Sequence, residues 1–442
     1  MQGCWQVVKV RVHPSVVNGF VDAPPSKSYT HRAVILAALS EGISKINRPL
    51  LARDTNATIE AVKAIGAEVT KQGFSLSVKG VDRPQTPEDV IDAENSGTTI
   101  RIMTSVAALT PSGYTVLTGD SSLRQRPMQP LLDALTQLGV RCWSTRLNGK
   151  PPIVVQGGGI RGGVAVIRGD ISSQFISSLL IAAPLADSDT TIQVVGNLVS
   201  RPYVEATLYI IREFGGKIAS PREGVFHIPH GQRYSPREVN VPGDFSSAAF
   251  ILASAVLTGG EVEVGNLSLQ QPQADSRILE ILQELGAEVE VKEGGVRVRG
   301  PKSLLRGGVF NLSDSPDLLP VVAVLGLKCR EGVEIRGVAH ARFKETDRLT
   351  VLAEELSKMN AEVTLYEDGL KLKGGTLKRC TLDSRGDHRL FMAFCLAGLA
   401  TQSGCEVLGA ESVDVSYPTF IEDMRKLGAS LEVEEDAGQP IR

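Results

Sequence analysis

Six short polar segments hold most of the residues that could do chemistry. They are Pro25-Ser26-Lys27-Ser28, Asn95-Ser96-Gly97-Thr98-Thr99, Asp170-Ile171-Ser172-Ser173-Gln174, Gly243-Asp244-Phe245-Ser246-Ser247, Asp314-Ser315-Pro316-Asp317 and Gly386-Asp387-His388-Arg389. Each stands between a short apolar or alternating run and an apolar stretch of small residues. That pattern predicts a strand giving way to a helix, with Ser, Asp or Asn as the helix cap. The start of a helix offers free N–H groups and partial positive charge, which suit phosphates and carboxylates. Lys27, Arg32, Arg101, Gln174, Asp317, His388, Arg389 and several hydroxyls lie at these openings. Two further basic loops read Leu123-Arg124-Gln125-Arg126-Pro127 and Arg342-Phe343-Lys344-Glu345-Thr346-Asp347-Arg348. The chain is acidic overall, at −3, yet gathers its bases at these junctions, which points to a small polyanionic substrate. A single opening of this kind reads as an ordinary cap or solvated loop; all six together do not. Asp317 after Pro316 also fits a helix-terminal carboxylate, and Glu345 also fits a salt bridge within its charged loop.

The elements that position these segments repeat. One phrase, the end of a helix with a small-residue pair followed by a strand, occurs six times. The copies are Ile65-Gly66-Ala67-Glu68-Val69, Leu138-Gly139-Val140-Arg141-Cys142, Phe214-Gly215-Gly216-Lys217-Ile218, Leu285-Gly286-Ala287-Glu288-Val289, Met359-Asn360-Ala361-Glu362-Val363 and Leu427-Gly428-Ala429-Ser430-Leu431. A spacing of roughly 70 residues suits a small α/β unit rather than a solenoid repeat. The helix after each opening, such as Ala248 to Val256 or Leu390 to Leu399, is apolar on nearly every side and is expected to be buried. The helix before each repeated phrase is amphipathic. Each unit therefore reads β-α-β-α-β-β.

Six units predict an α/β protein of two domains, each of three such units, with buried helices whose N-termini face an interdomain cleft. Residues 21–237 would form one domain. Residues 1–20 with 238–442 would form the other, the early strand Val7 to Val16 completing its sheet. The chain would then cross twice, near Gly19 to Asp22 and Ser235 to Glu238, making a hinge and a ligand cleft. At 442 residues with 42% hydrophobic content the chain is long enough for two cores. Its longest apolar helical run, Leu390 to Ala400, is too short for a bilayer, and no signal pattern opens the chain. The net charge disfavours a general nucleic-acid binder. Six scattered cysteines (Cys4, Cys142, Cys329, Cys380, Cys395, Cys405) without a C-x-x-C are expected to be reduced thiols in a cytoplasmic protein. His227 and His230 have a metal-like spacing but no further His or Cys beside them, so a surface loop is expected and no metal site.

Taken in order, residues 24–32 (PPSKSYTHR), Asn95-Ser96-Gly97-Thr98, Gln125-Arg126-Pro127-Met128, Ser172-Ser173-Gln174, Lys344-Glu345-Thr346-Asp347-Arg348 and Asp387-His388-Arg389 resemble the 5-enolpyruvylshikimate-3-phosphate synthase family. The resemblance spans nearly the whole chain, from Val21 to Leu427. It implies six βαβαββ units in two closing domains. It also implies transfer of the enolpyruvyl group of phosphoenolpyruvate to the 5-hydroxyl of shikimate 3-phosphate, with release of phosphate, in aromatic amino-acid biosynthesis. The chemistry is addition then elimination through a tetrahedral ketal phosphate, without redox cofactor or obligatory metal. A monomer is expected, with these two small molecules as partners and neither nucleic acid nor membrane.

By the same resemblance Lys27, Gly97, Arg126, Gln174, Arg348 and Arg389 contact phosphoenolpyruvate. Asn95, Thr98, His340 and His388 belong to the substrate site. Ser28, Arg32, Ser172, Ser173, Ser200, Asp317 and Lys344 hold shikimate 3-phosphate, with Tyr203 lining that pocket. Asp317 takes the 5-hydroxyl proton, and Glu345 and Lys27 are candidates for proton movement at the methylene carbon. Glyphosate occupies the donor site of this family beside Gly97.

Three positions depart from the family pattern. Val415 stands where a last-unit lysine is common, His340 where Asn is common, and Ile102 where Pro is common. Two rival readings remain. The UDP-N-acetylglucosamine enolpyruvyl transferases share fold and donor but carry a reactive cysteine on a loop; the matching loop, Gly119 to Pro130, has none. A non-catalytic anion-binding protein would not need Asp317 and Glu345 together with Lys27, Arg126 and Arg389.

Overall fold

The computed structural model describes residues 8–434, so Cys4 and Val7 lie outside the described residues. Within that span run twelve α-helices: α1 (Lys27–Ala38), α2 (Arg53–Ala64), α3 (Gly97–Ala107), α4 (Gln129–Gln137), α5 (Ser173–Ala182), α6 (Arg201–Glu213), α7 (Phe245–Thr258), α8 (Ile278–Glu284), α9 (Leu319–Leu325), α10 (Arg348–Lys358), α11 (His388–Ala400) and α12 (Phe420–Lys426). Odd-numbered helices begin at the polar openings; even-numbered helices end at the repeated phrase. The difference in composition becomes a difference in depth. Every residue of α9 is buried, as is α11 from His388 to Leu399, whereas α6 buries only one face.

The caps are local consequences of sequence. The side chains of Ser26, Ser96, Ser172, Asp244 and Asp387 each accept a backbone N–H in the first turn of their helix. Each such bond satisfies a donor that the helix cannot pair internally. Ser315 makes no such bond; there a 3-10 turn, Pro316–Leu318, leads into α9. At the other end, the residue after each even helix's last cap is left-handed: Gly66, Gly139, Gly215, Gly286, Asn360 and Gly428, with φ between 67° and 105°. Five are glycine, and the sixth is the asparagine that tolerates this region best.

Six four-stranded sheets follow one rule. The first strand lies parallel to the second, the second antiparallel to the fourth, and the fourth antiparallel to the third. The set Ile91–Asp92, Tyr114–Thr118, Cys142–Ser144 and Ile153–Gln156 shows it. Three sheets depart from sequence order. Asn18–Asp22, which precedes α1, pairs in parallel with Glu261–Gly265 of the fourth repeat. Reciprocally, Glu238–Asn240, which precedes α7, pairs in parallel with Gly42–Asn47 of the first. The expectation that each β-α-β-α-β-β unit keeps its own leading strand is therefore corrected for the first and fourth units. The two repeats exchange their leading strands, and a register within one repeat carries no sign of it. In the last sheet Lys9–His13 runs antiparallel to both Cys405–Leu408 and Ser430–Glu434, taking the fourth-strand place.

The chain divides into two compact units. One comprises Met1–Pro24, Gly243–Leu269 and Asp275–Arg442, the other Pro25–Pro242 with Gln270–Ala274. Each has its own apolar core. In the first, α7, α9 and α11 pack together at the centre; in the second, α3 packs on α5, and α1 lies against α2 and α6. Small residues such as Ala248, Ala249, Ala253 and Ala255 allow that close approach. No helix among the described residues is long and apolar enough to cross a membrane.

Candidate active site

In the unit built on residues 25–242, the openings of α1, α3 and α5 carry a network of cations, hydroxyls, side-chain amides and the carboxylate of Asp54. Lys27, the first residue of α1, reaches Asp54 on α2, with Nζ 2.9 Å from Oδ2. Asp54 is buried, and its Oδ1 has no hydrogen-bond partner. Arg101 stacks on the Phe175 ring at 5.0 Å and donates to Gln174 Oε1 at 2.6 Å and Ser172 Oγ at 3.3 Å. Gln174 in turn donates to Thr98 Oγ1 at 3.0 Å. Arg126 donates to Asn95 Oδ1 at 2.8 Å and Ser122 Oγ at 3.4 Å, and Asn95 is itself held by Asp120.

These side chains converge on Gly97. A methyl there would lie 3.2 Å from Arg126 Nη1, 3.5 Å from Arg101 Nη1 and 3.6 Å from Gln174 Oε1. The glycine leaves room for polar groups, and so its role is spatial. Two guanidinium groups beside a helix start whose first residue has no side chain make a cradle for an oxyanion, with Gln174 Oε1 holding Arg101.

Arg32 stands apart. It is 1% exposed, and its guanidinium is spent on Thr207 Oγ1 at 2.7 Å, the Ser28 carbonyl at 2.9 Å, and Ser177 and the Tyr203 carbonyl at 3.4 Å. Burial draws its pKa down to about 10. In this arrangement Arg32 ties α1 to α5 and α6, with Ser28 and Tyr203 giving it backbone oxygens. Ser200 stands at the start of α6 in a left-handed backbone, φ 56°, without a side-chain cap bond, and Ser173 is buried at the first turn of α5. Behind the openings runs a buried chain of hydrogen bonds from His31 Nδ1 to Thr58, Thr99 and Ser96, each between 2.6 and 2.7 Å. It locks α1, α2 and α3 together. Burial first, then Lys27 and Arg32, hold the His31 pKa well below its ordinary value, so the ring is neutral.

The other unit presents a carboxylate-rich cluster at the openings of α9, α10 and α11. Arg348, 1% exposed, pairs with Asp317 at 2.8 Å, Glu345 at 2.8 Å and Asp387 at 2.8 Å. Burial lowers its pKa, but the charges of Asp387, Glu345 and Asp317 outweigh that and raise it. Asp317 also meets Arg389 at 3.1 Å and Lys344 at 3.5 Å. Asp317 thus faces three cations in addition to standing at a helix opening, and Glu345 does form the salt bridge its loop allows. Asp387 caps α11 through the Arg389 and Leu390 amides while gripping Arg348. His388 is buried at the first position of α11. His340 is buried in the turn Ala339–Phe343; burial, then Lys344, pull its pKa down to about 4 against the opposing pull of Asp317.

Not every base of the two basic loops joins a cluster. Arg124 donates to the Gly119 carbonyl and clips its own loop, while Arg342 donates to Asp347, Thr350 and the carbonyls of Tyr366 and Glu367 and so ties its loop to a neighbouring turn. His227 meets Thr191, and His230 meets Asp189, both exposed. Cys142 lies in a strand, and burial pushes its thiol up to about 11, the reverse of an activated nucleophile. Val415 and Ile102 are buried apolar residues. Asp54, Asp387 and Asp275 were not among the sequence candidates. Asp387 shows a cap signature, but nothing near Asp54 in sequence signals its pairing with Lys27.

The profile of the EPSP synthase family (3-phosphoshikimate 1-carboxyvinyltransferase) matches residues 12–424. A 3-phosphoshikimate 1-carboxyvinyltransferase of Methanocella arvoryzae is 48% identical over 427 residues, covering 96% of this chain and 99% of that one. The enzyme of that name from Methanocaldococcus jannaschii is 44% identical, covering 94% and 97%. Among solved structures, EPSP synthase of Acinetobacter baumannii superposes with a TM-score of 0.80 at 25% identity, covering 97% and 100%. The enolpyruvyl transferase NikO of Streptomyces tendae has the same fold, with a TM-score of 0.77 at 17% identity, covering 97% and 99%. With residues 12–424 matched and relatives near half identical over almost their full length, this chain belongs to the EPSP synthase family.

Proposed function

We propose that this chain transfers the enolpyruvyl group of phosphoenolpyruvate to the 5-hydroxyl of shikimate 3-phosphate and releases phosphate. The observation that carries this reading is the convergence of Arg126, Arg101 and Gln174 on Gly97, a cradle for a donor that carries a phosphate and a carboxylate. Lys27, Arg126, Gln174, Arg348, Arg389 and the amide end of α3 at Gly97 serve phosphoenolpyruvate. Ser28, Ser172, Ser173, Ser200, Tyr203, Asp317 and Lys344 serve shikimate 3-phosphate, with Arg32 holding Ser28 and Tyr203 in place. Asn95 and Thr98 orient Arg126 and Gln174, while His340 and His388 line the carboxylate cluster.

In the addition step Asp317 accepts the 5-hydroxyl proton as that oxygen bonds to C2 of the donor. The C2–C3 double bond opens, and C3 takes a proton from Glu345 or Lys27. In the elimination step C3 returns a proton, the double bond re-forms, and the C2–O bond to phosphate breaks. No electron changes hands, so no redox partner is required. Three cations orient Asp317 toward this role. A monomer in the cytoplasm fits the reading, and the five described cysteines are free thiols.

Phosphate release with phosphoenolpyruvate and either acceptor tests it. Release with shikimate 3-phosphate and not with UDP-N-acetylglucosamine is expected. The opposite preference would assign the chain to the other transferase activity, and release with neither would leave an anion-binding protein.

A further inference from the structure

We propose that Asp275 is a positioning residue for the Asp317–Arg389 pair, acting through Ser246 at the opening of α7. Asp275 is 1% exposed, in the 3-10 turn Ala274–Arg277 ahead of α8. The Ser246 hydroxyl donates to its Oδ2. Ser246 is held a second time, by the cap residue Asp244, which accepts its amide at 3.3 Å. The Ser246 carbonyl then accepts Arg389 Nη1 at 3.4 Å, and Arg389 Nη2 lies 3.1 Å from Asp317 Oδ2. A continuous path thus runs from a buried carboxyl, through one residue of α7, to the group assigned the 5-hydroxyl proton. The inference rests on that assignment.

The charged groups facing Asp275 come from all three helix openings of its unit: Asp244 from α7, Asp317 from α9 and Arg389 from α11. Burial first, then Asp317, push its pKa up to about 7; Arg389 and the Ser246 hydroxyl oppose this, and Asp244 adds to it. Below that pH Asp275 is a neutral acid, so the cluster carries one carboxylate charge fewer beside Asp317. Above it, a like charge appears next to the proton acceptor. Between about pH 4 and 7 the folded chain holds a proton the unfolded chain has lost, so this group makes stability fall as pH rises through that window.

Replacement by the neutral isostere and by a truncation separates positioning from charge. Asp275→Asn keeps a hydrogen-bonding group for Ser246, while Asp275→Ala removes it. Asp275→Ala is expected to lower kcat about tenfold or more, with Asp275→Asn retaining about a third of kcat or more. The pH–rate profile of Asp275→Asn should lose the inflection near 7. Its unfolding free energy should no longer fall between pH 4 and 7, a readout that does not depend on turnover. Wild-type kcat and pH profile in Asp275→Ala would overturn the proposal. So would an equal loss in both variants, which would make the charge and not the hydrogen bond essential. If Asp275→Ala does not fold, the Asp275→Asn pH–rate and pH–stability profiles decide; both unchanged from wild type would overturn the proposal. Absence of phosphate release in the wild-type chain would instead refute the assigned reaction, leaving the pH–stability slope to test the buried acid.

Discussion

The two units solve the problem of a polar helix opening in opposite ways. Around α1, α3 and α5, Arg32 is satisfied by hydroxyls and carbonyls, while Arg101 leans on Gln174 and Ser172, and Arg126 on Asn95 and Ser122. Around α9, α10 and α11, Arg348 is clamped by three carboxylates, and Asp317 by three cations. A guanidinium resting on neutral oxygens can turn to an incoming anion at small cost. One locked by carboxylates turns only at a higher cost, because moving it leaves their buried charge partly uncompensated. The same helix-start geometry therefore carries three carboxylates around one arginine in one unit, and hydroxyls, amides and carbonyls beside Arg32, Arg101 and Arg126 in the other.

That contrast can be broken at its strongest point first. Asp317→Asn is expected to lower kcat by about 10²–10⁴-fold with the fold kept, measured as phosphate release against circular dichroism. Arg348→Ala would leave Asp317, Glu345 and Asp387 facing one another without their common cation. A stability loss of about 3–5 kcal/mol is expected, read from denaturant unfolding. Arg126→Ala in the other unit should leave stability nearly unchanged and weaken phosphoenolpyruvate binding instead. Equal destabilisation by the two arginine variants would erase the distinction. The smallest effect is expected at Gly97. A methyl 3.2 Å from Arg126 Nη1 meets the movable end of a side chain, so the fold should survive. Gly97→Ala should raise the phosphoenolpyruvate KM about tenfold, near 1.4 kcal/mol, and the glyphosate inhibition constant by more. An unchanged glyphosate constant would mean that Gly97 does not line the donor pocket.

Much of this was legible in the residues because it is local. The caps at Ser26, Ser96, Ser172, Asp244 and Asp387 and the left-handed exits at Gly66 through Gly428 follow from side-chain chemistry within a turn. The all-round apolar composition of α7 and α11 foretold their burial. What was not legible is non-local. The exchange of Asn18–Asp22 for Glu238–Asn240 joins strands 243 and 193 residues from their partners, and each strand alone suits either sheet. Asp54 reads as an ordinary first-turn acid until Lys27 is seen against it. Asp275 sits in Gln273-Ala274-Asp275-Ser276, with no cap or motif to mark it; only the meeting of three helix openings does so. Arg32, expected among the substrate contacts, also donates to Thr207 and the Tyr203 carbonyl, partners more than 170 residues away that a motif of charged letters does not mark.

The central claim is that the cations of the first cluster act on the substrates of one transfer reaction. Phosphate release by Lys27→Met with phosphoenolpyruvate and shikimate 3-phosphate tests it most directly. Lys27→Met leaves the buried Asp54 without its cation, so turnover is read only in protein that circular dichroism shows to be folded. The account predicts turnover reduced below detection in that folded protein; near-normal phosphate release from it would contradict the account.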